Sequence, residues 1–195
     1  MDLVSVAFTL FLIMDPLGNL PVFLSVLKTV KPTRRRAVLI RELVIALVIL
    51  FIFLFSGEAL LSFLRVKQET VSISGGIVLF IIAVRMIFPG RGGVMGETPE
   101  GEPFIVPLAV PMVAGPSALA TLLLLAHSAP DQMGTWTLAL FLAWSATALI
   151  LGFSEVFYKI LRERGLAALE RLMGMVLVMI SVQMILDGLK TYFTT

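Results

Sequence analysis

Long apolar runs recur along the whole chain, separated by short polar connections. A bilayer core about 30 Å thick is crossed by about 20 helical residues, and each run is close to that length. The pattern therefore predicts an all-α polytopic membrane protein with six transmembrane helices, at residues 3–27, 37–56, 69–88, 104–126, 134–157 and 168–189.

The third connection divides these helices into two sets of three. Residues 89–103 hold five glycines and three glutamates, a composition typical of a flexible linker. We therefore expect a first three-helix repeat at 1–88, a flexible cytoplasmic linker at 89–103 and a second, inverted three-helix repeat at 104–195.

The two sets share sequence. The stretch "GIVLFIIAVRMIFPG" (76–90) keeps eight of its residues in "GMVLVMISVQMILDG" (174–188), 98 positions later. "DPLGNLP" (15–21) aligns with "GPSALAT" (115–121) at an offset of 100 and pairs Pro16 with Pro116. Because each set has an odd number of spans, the second must be inserted upside down. Such inverted repeats are typical of secondary transporters, whose site lies between the repeats.

Composition and charge agree with this architecture and set its orientation. The 195 residues are 58% hydrophobic and only 14% charged, whereas soluble domains are about 25% charged. Twelve of the fifteen Lys and Arg residues fall on one set of alternate connections. The positive-inside rule then places both termini outside the cytoplasm. No basic patch suits nucleic acid, and no cysteine is present to form disulfides or thiolate metal sites.

Prolines interrupt the first and fourth predicted spans. Proline lacks an amide hydrogen, clashes with the preceding turn, and pushes the residue before it out of helical geometry. Both spans should therefore be broken near the bilayer midplane, with second halves that begin at Pro16 and Pro116. The residues expected to break the helices are Pro16, Pro21, Pro107, Pro111 and Pro116.

The two breaks supply a candidate substrate site. Half-helix N-termini offer unpaired amides and a partial positive charge, and irregular backbone at this depth can line a watery cavity. Asp15 can hold a cation, an ammonium group or a transported proton, and the amides at 115–117 can hold a carboxylate or phosphate. The predicted substrate-binding residues are Asp15, Gly18, Asn19, Gly115, Ser117 and Thr121.

Asp15 also has a purely structural interpretation. It stands where an N-cap belongs, with its carboxylate placed to accept from the amide near Gly18. An acid at the bilayer centre costs about 2.5–3.5 kcal/mol on the insertion scale, which favours a functional role. The sequence leaves both roles open.

Other polar residues change the picture less. Glu42 and Glu155 stand near Arg41 and Lys159 and are expected to form interfacial pairs. His127 is alone, so no metal site is expected, and no nucleophile–base–acid set is present. We therefore expect no catalytic residues, no enzyme activity and no cofactor beyond a coupling proton or sodium ion. The small face of the third span (Ser72, Gly75 and Gly76) suits close packing within the protein or in a homodimer.

Two long motifs resemble a known family. "IMDPLGNLPVFLSVL" (13–27) and "PFIVPLAVPMVAGPSALATLLLL" (103–125) are similar to the signatures of the MarC family of bacterial inner-membrane proteins, in its YhgN-like branch. The family's first motif falls on Asp15, Pro16, Gly18, Asn19 and Pro21. Its second falls on Pro107, Pro111, Ala114, Gly115, Pro116 and Ser117.

The resemblance implies the LysE-type exporter superfamily and its inverted three-plus-three repeat. Some relatives are described as transporters of neutral amino acids such as glycine and alanine. The leading hypothesis is therefore a secondary transporter or exporter of a small polar solute, such as a neutral amino acid, coupled to protons or sodium. The alternatives are a translocase for a polyprenyl phosphate of envelope synthesis, and a non-transporting membrane scaffold. The expected partners are membrane lipid and a small-molecule or lipid substrate.

Overall fold

The computed structural model describes residues 2–65, 67–88 and 102–194. For residues 58, 64, 68, 154–164, 166, 170 and 194 it describes the backbone alone. The predicted linker therefore lies outside the described residues, except for Glu102 and Pro103 at its end.

The regular secondary structure of the described residues is helical apart from one isolated bridge, between Phe104 and Val106. Seven α-helices are present there, joined by one π-helical segment, Leu108–Val113, and one 3-10 turn, Pro130–Gln132. The α-helices are α1 (Leu3–Met14), α2 (Pro16–Lys28), α3 (Pro32–Leu64), α4 (Gln68–Ile87), α5 (Pro116–Ser128), α6 (Met133–Gly152) and α7 (Ser154–Thr194).

Five helical stretches of the described chain are long and apolar enough to cross a membrane. They correspond to five of the six predicted spans and lie at Leu3–Lys28, Pro32–Gly57, Glu69–Ile87, Pro130–Gly152 and Ala167–Phe193. The fourth predicted span differs, because α-helix begins only at Pro116 and gives a shorter apolar helix. The prolines before it remove the amides that a longer helix would need.

α2 lies at the centre of the bundle. Every residue from Asn19 to Leu27 is buried, and the helix contacts α3, α6, α7 and the π-helical segment. A helix that is enclosed on all sides belongs to a core rather than to a surface. α3 instead leaves Val44, Val48, Ile52 and Phe55 exposed along one face, which suits contact with lipid.

α4 and α7 pack antiparallel through two glycines. A Cβ atom added to Gly76 would lie 2.8 Å from Ile185 Cγ1, and one added to Gly174 would lie 2.8 Å from Ile87 Cγ1. The backbone carbonyls of Ser181 and Ala83 come next, at 3.0 and 3.1 Å. The two contacts are equivalent: adding 98 to residue 76 gives residue 174, and subtracting 98 from residue 185 gives residue 87. This is the offset that relates the two similar stretches of sequence.

The reciprocal contacts predict equal responses to substitution. Gly76→Ala and Gly174→Ala should each lower the free energy of unfolding by about 1–3 kcal/mol, since each new methyl group overpacks the helix interface. Gly134→Ala is the control, because a Cβ there has no atom within 4 Å. Denaturation in mixed detergent micelles measures all three. A loss at only one of the two glycines would contradict the reciprocity.

Candidate functional site

Asp15 forms the turn between α1 and α2. Its backbone is left-handed, with φ 41° and ψ 62°, a conformation that Asp and Asn adopt more readily than most residues. Its amide donates to the carbonyls of Leu12 and Phe11 at 3.1 and 3.2 Å. Its carboxylate accepts from the Gly18 amide at 3.0 Å. Asp15 is therefore the N-cap of α2, and its side chain is exposed.

Gly18 is required by the position of this carboxylate. A Cβ at residue 18 would lie 2.1 Å from Asp15 Oδ2 and 2.7 Å from its Cγ, far inside contact distance. Only a residue without a side chain lets the carboxylate approach the first turn of α2 this closely. The predicted pair of Asp15 and Gly18 is thus one structural unit.

Asn19 joins the two halves of the chain. Its side chain is buried, and Nδ2 donates to the carbonyls of Met14 and Met112, each at 2.8 Å. In an uninterrupted helix the Met112 carbonyl would accept from residue 116, but Pro116 has no amide hydrogen. Both hydrogens of the Asn19 amide are used by backbone, so only its Oδ1 is left for a ligand.

The backbone before α5 is irregular. The Leu108–Val113 segment contains one extended residue, Val110, with φ −128° and ψ 131°, as expected before Pro111. Gly115 is also extended, with φ −76° and ψ 159°. The expected half-helix before Pro116 is thus replaced by a single distorted turn, because two prolines within five positions leave few amides to bond.

The N-terminus of α5 has no side-chain cap. Gly115 occupies the cap position, and a Cβ there would lie 2.8 Å from the Pro111 carbonyl oxygen. Ser117 is exposed on the first turn. The Thr121 hydroxyl donates to the Ser117 carbonyl at 2.8 Å, so its proton is already used within the helix.

The break expected at Pro21 does not occur. α2 continues through Pro21 to Lys28. The missing amide costs one hydrogen bond to the Leu17 carbonyl, and membrane helices tolerate such a loss where neighbouring groups compensate. The interruptions that do occur are at Asp15–Pro16 and over the segment that holds Pro107, Pro111 and Pro116.

Of the predicted site residues, Asn19 reaches the segment before α5, through its hydrogen bond to the Met112 carbonyl. Within the described chain, the Asp15 carboxylate bonds to the Gly18 amide and pairs with no cation. Among the described residues, no group of three or more His, Asp or Glu side chains could hold a metal ion.

A cavity of about 480 Å³ lies between α2, α3 and α6. Its wall is mainly apolar, with Leu24, Leu39 and Trp144 among its residues, and three cations line it as well: Lys28, Arg35 and Arg36. None of the predicted substrate-binding residues lines this cavity.

Glu42 is a further candidate functional residue, although the sequence predicts only an ion pair for it at the membrane interface. Its side chain has no exposed surface, although it pairs with Arg41 as expected, with Oε1 3.0 Å from Nε. Its second oxygen, Oε2, is buried without a hydrogen-bond partner in the described chain. The signal in the sequence is a carboxylate inside an apolar run, which is costly in a membrane.

Comparison with known proteins matches nearly the whole chain. The family model described as "MarC family integral membrane protein" matches residues 1–193. The chain is 57% identical to the inner membrane protein YhgN of Escherichia coli over 192 residues, which cover 98% of each chain. A membrane protein of Buchnera aphidicola (subsp. Schizaphis graminum) is 53% identical, again over 98% of each chain. A membrane protein of Aquifex aeolicus is 31% identical over 93% of this chain and 89% of its own.

No solved structure gives a significant match. The match to the family model is nearly complete, and the relatives cover this chain almost end to end. The chain therefore belongs to the MarC family of integral membrane proteins.

Proposed function

We propose that this protein is a secondary transporter or exporter of a small polar solute, such as a neutral amino acid, coupled to protons or sodium. The observation that carries the proposal is the hydrogen bond from Asn19 to Met112, at 2.8 Å. It holds the acid-capped turn before α2 against the irregular segment before α5. Two interrupted helical segments that meet inside a membrane bundle are characteristic of transporter sites.

The proposed architecture is an inverted repeat of three plus three spans. α1 and α2 would form the first broken span, and the 104–126 region the fourth. The reciprocal contacts of Gly76 and Gly174 support this, since exchange of the two repeats maps each onto the other. The packing of α1 on α6 and of α3 on α5 also supports it. These are contacts of span one with span five and of span two with span four, and exchange of the two repeats turns one pair into the other.

The proposed site binds a zwitterion. The exposed Asp15 carboxylate would hold the ammonium group. The uncapped first turn of α5, at Ser117, would hold the carboxylate, because amides there point out of the helix and carry partial positive charge. Gly115 leaves room for that approach, since no side chain caps the helix.

The proposed location is the bacterial inner membrane, with both termini in the periplasm. Relatives are named as inner membrane proteins, and the excess of Lys and Arg on alternate connections supports this orientation.

The test measures uptake of labelled glycine and alanine into proteoliposomes with an imposed proton or sodium gradient. Asp15→Asn should lower the gradient-driven rate at least tenfold while leaving stability nearly unchanged, since Asn also caps helices and adopts left-handed backbone. Asp131→Asn is the matched control, because it removes an exposed acid from the 3-10 turn. The proposal would be rejected if amino acid uptake depended neither on the gradient nor on the Asp15→Asn substitution.

A second candidate function is translocation of a polyprenyl phosphate. The cavity between α2, α3 and α6 favours it, because apolar walls suit a prenyl chain and the nearby cations suit its phosphate. Retention of polyprenyl phosphate through purification, measured by mass spectrometry, should fall in Lys28→Gln and Arg36→Gln but not in Lys67→Gln. Proteoliposomes that move neither amino acid nor lipid would instead favour a scaffold.

A further inference from the structure

We infer that Glu42 is the proton-binding site of this protein, and that Arg41 transmits its protonation to the segment before α5. The inference names a proton-binding residue for the proposed transporter, and its functional meaning rests on that proposal. Neither Glu42 nor Arg41 is among the residues of the substrate site. Proton binding at Glu42 can nevertheless be measured without any substrate.

The position of Glu42 is unusual for a structural residue. One oxygen, Oε1, lies 3.0 Å from Arg41 Nε, while Oε2 is buried without a partner in the described chain. A buried carboxylate oxygen that lacks a hydrogen bond is costly, and buried charged groups often respond by becoming neutral. A proton on Oε2 would neutralise the side chain without rearranging the surrounding apolar packing.

A proton fits this place better than a metal ion. Metal cations that prefer oxygen take several oxygen ligands, whereas Glu42 stands on α3 beside the buried residues Val38, Leu39, Leu43 and Ala46. A proton needs only the one free oxygen. Its uptake converts a carboxylate and a solvent proton into a carboxylic acid, and no other bond must break.

Few charged groups face Glu42 from the elements that pack against α3. The π-helical segment and α6 contain no charged residue, α2 carries only Lys28 at its last position, and α5 carries only His127 near its end. α3 itself carries Arg34, Arg35 and Arg36 near its start, Arg41 beside Glu42 and Glu58 near its end. The last group is Glu102. Glu102 accepts a hydrogen bond from Arg34, which lowers the pKa of Glu102 below its ordinary value. Glu102 therefore stays ionised to a lower pH than an ordinary glutamate does.

Arg41 connects Glu42 to the segment that leads into the fourth span. Its Nη2 donates to the Pro103 carbonyl, and its Nη1 lies 3.7 Å from Glu102 Oε2. Its guanidinium also lies over the Phe104 ring, 5.3 Å from the centroid. Neutralising Glu42 removes the strongest competitor for Arg41, so the cation is drawn towards residues 102–104. That segment continues into Leu108–Val113, whose Met112 carbonyl is held by Asn19.

The test uses the full chain in detergent. Because the chain contains no cysteine, one introduced thiol can be labelled without any background. Val106→Cys places a thiol on the exposed segment beside Phe104. The rate of labelling, divided by the rate for a free thiol at the same pH, should change at least threefold as the pH falls. Adding Glu42→Gln, which mimics the protonated acid, should fix the rate at its low-pH value. Adding Glu69→Gln, which removes an acid from α4, should leave the pH dependence intact.

Infrared spectroscopy provides a second measurement in case Glu42→Gln does not fold. The carboxylic acid band that appears as the pH falls should shift in frequency in Glu42→Asp, which changes the acid at this position and leaves the twelve other Asp and Glu residues in place. A spectrum unchanged by Glu42→Asp, or labelling that stays pH-dependent in folded Glu42→Gln protein, would overturn the inference. A labelling change driven by sodium at constant pH would also overturn it. Failed amino acid transport with intact Glu42 titration would reject the transport function alone.

Discussion

Asn19→Ala is expected to lower the free energy of unfolding more than any substitution proposed at another position of this protein. The alanine leaves the carbonyls of Met14 and Met112 without their donor. Each buried carbonyl left unpaired costs about 1–3 kcal/mol, so the loss should reach at least about 2 kcal/mol. Denaturation in mixed detergent micelles measures it. Gradient-driven transport should fall as well, because the two interrupted segments are no longer tied together.

Two further variants separate the hydrogen bonds from other causes. Asn19→Leu restores the lost volume but not the donor, so it should be as unstable as Asn19→Ala. Thr137→Val removes a hydroxyl that bonds the Met133 carbonyl within α6, and should cost less than about 1 kcal/mol because that carbonyl keeps its helical partner. A stable Asn19→Leu protein would mean that the bond from Asn19 to Met112 does not join the two halves.

Gly18→Ala is expected to remove transport while leaving Asp15 in the chain. The new methyl group would overlap Asp15 Oδ2, which lies 2.1 Å from its position. The carboxylate must therefore leave the first turn of α2. Because the Asp15 side chain is exposed and can swing away, the cost is the lost cap, about 0.5–2 kcal/mol in unfolding free energy. Proteoliposome uptake and denaturation measure the two effects.

The effect of Gly18→Ala on the free energy of unfolding should change sign when the Asp15 carboxylate is removed. Asp15→Gly suits the left-handed backbone and remains an acceptable N-cap. In that background Gly18→Ala meets no carboxylate, and alanine favours helix over glycine by about 0.5–1 kcal/mol, so it should be neutral or stabilising. A cycle of single and double variants gives the coupling energy directly. Additive effects would show that the clash between residues 15 and 18 does not govern stability.

Local chemistry made much of the architecture predictable. Apolar runs of the right length predicted five of the spans, because a bilayer selects helices by length and hydropathy alone. The starts of α2 at Pro16 and α5 at Pro116 were also predictable. Proline lacks the amide that a preceding helix would need to continue, and it is favoured as the first residue of the next helix. The cap formed by Asp15 depends on contacts within three residues, so the motif itself contained it.

Long-range packing decided the remainder. Pro21 lies within a helix rather than at a break because the surrounding bundle encloses α2. Three prolines marked the 104–116 region as irregular, but they did not show that Asn19 would reach its Met112 carbonyl from 93 residues away. The sequence predicts that Glu42 forms an interfacial ion pair with Arg41. Only the packing around α3 shows that the carboxylate of Glu42 is buried.

The sequence by itself determined that this chain is a helical membrane protein of the MarC family, interrupted at Asp15–Pro16 and before Pro116. Those properties follow from hydropathy, from proline and from motifs whose contacts are local in the chain. The tertiary structure alone decided which groups meet across the bundle and which acid loses contact with solvent. Pairing and burial depend on residues far apart in sequence, so no local pattern could contain them.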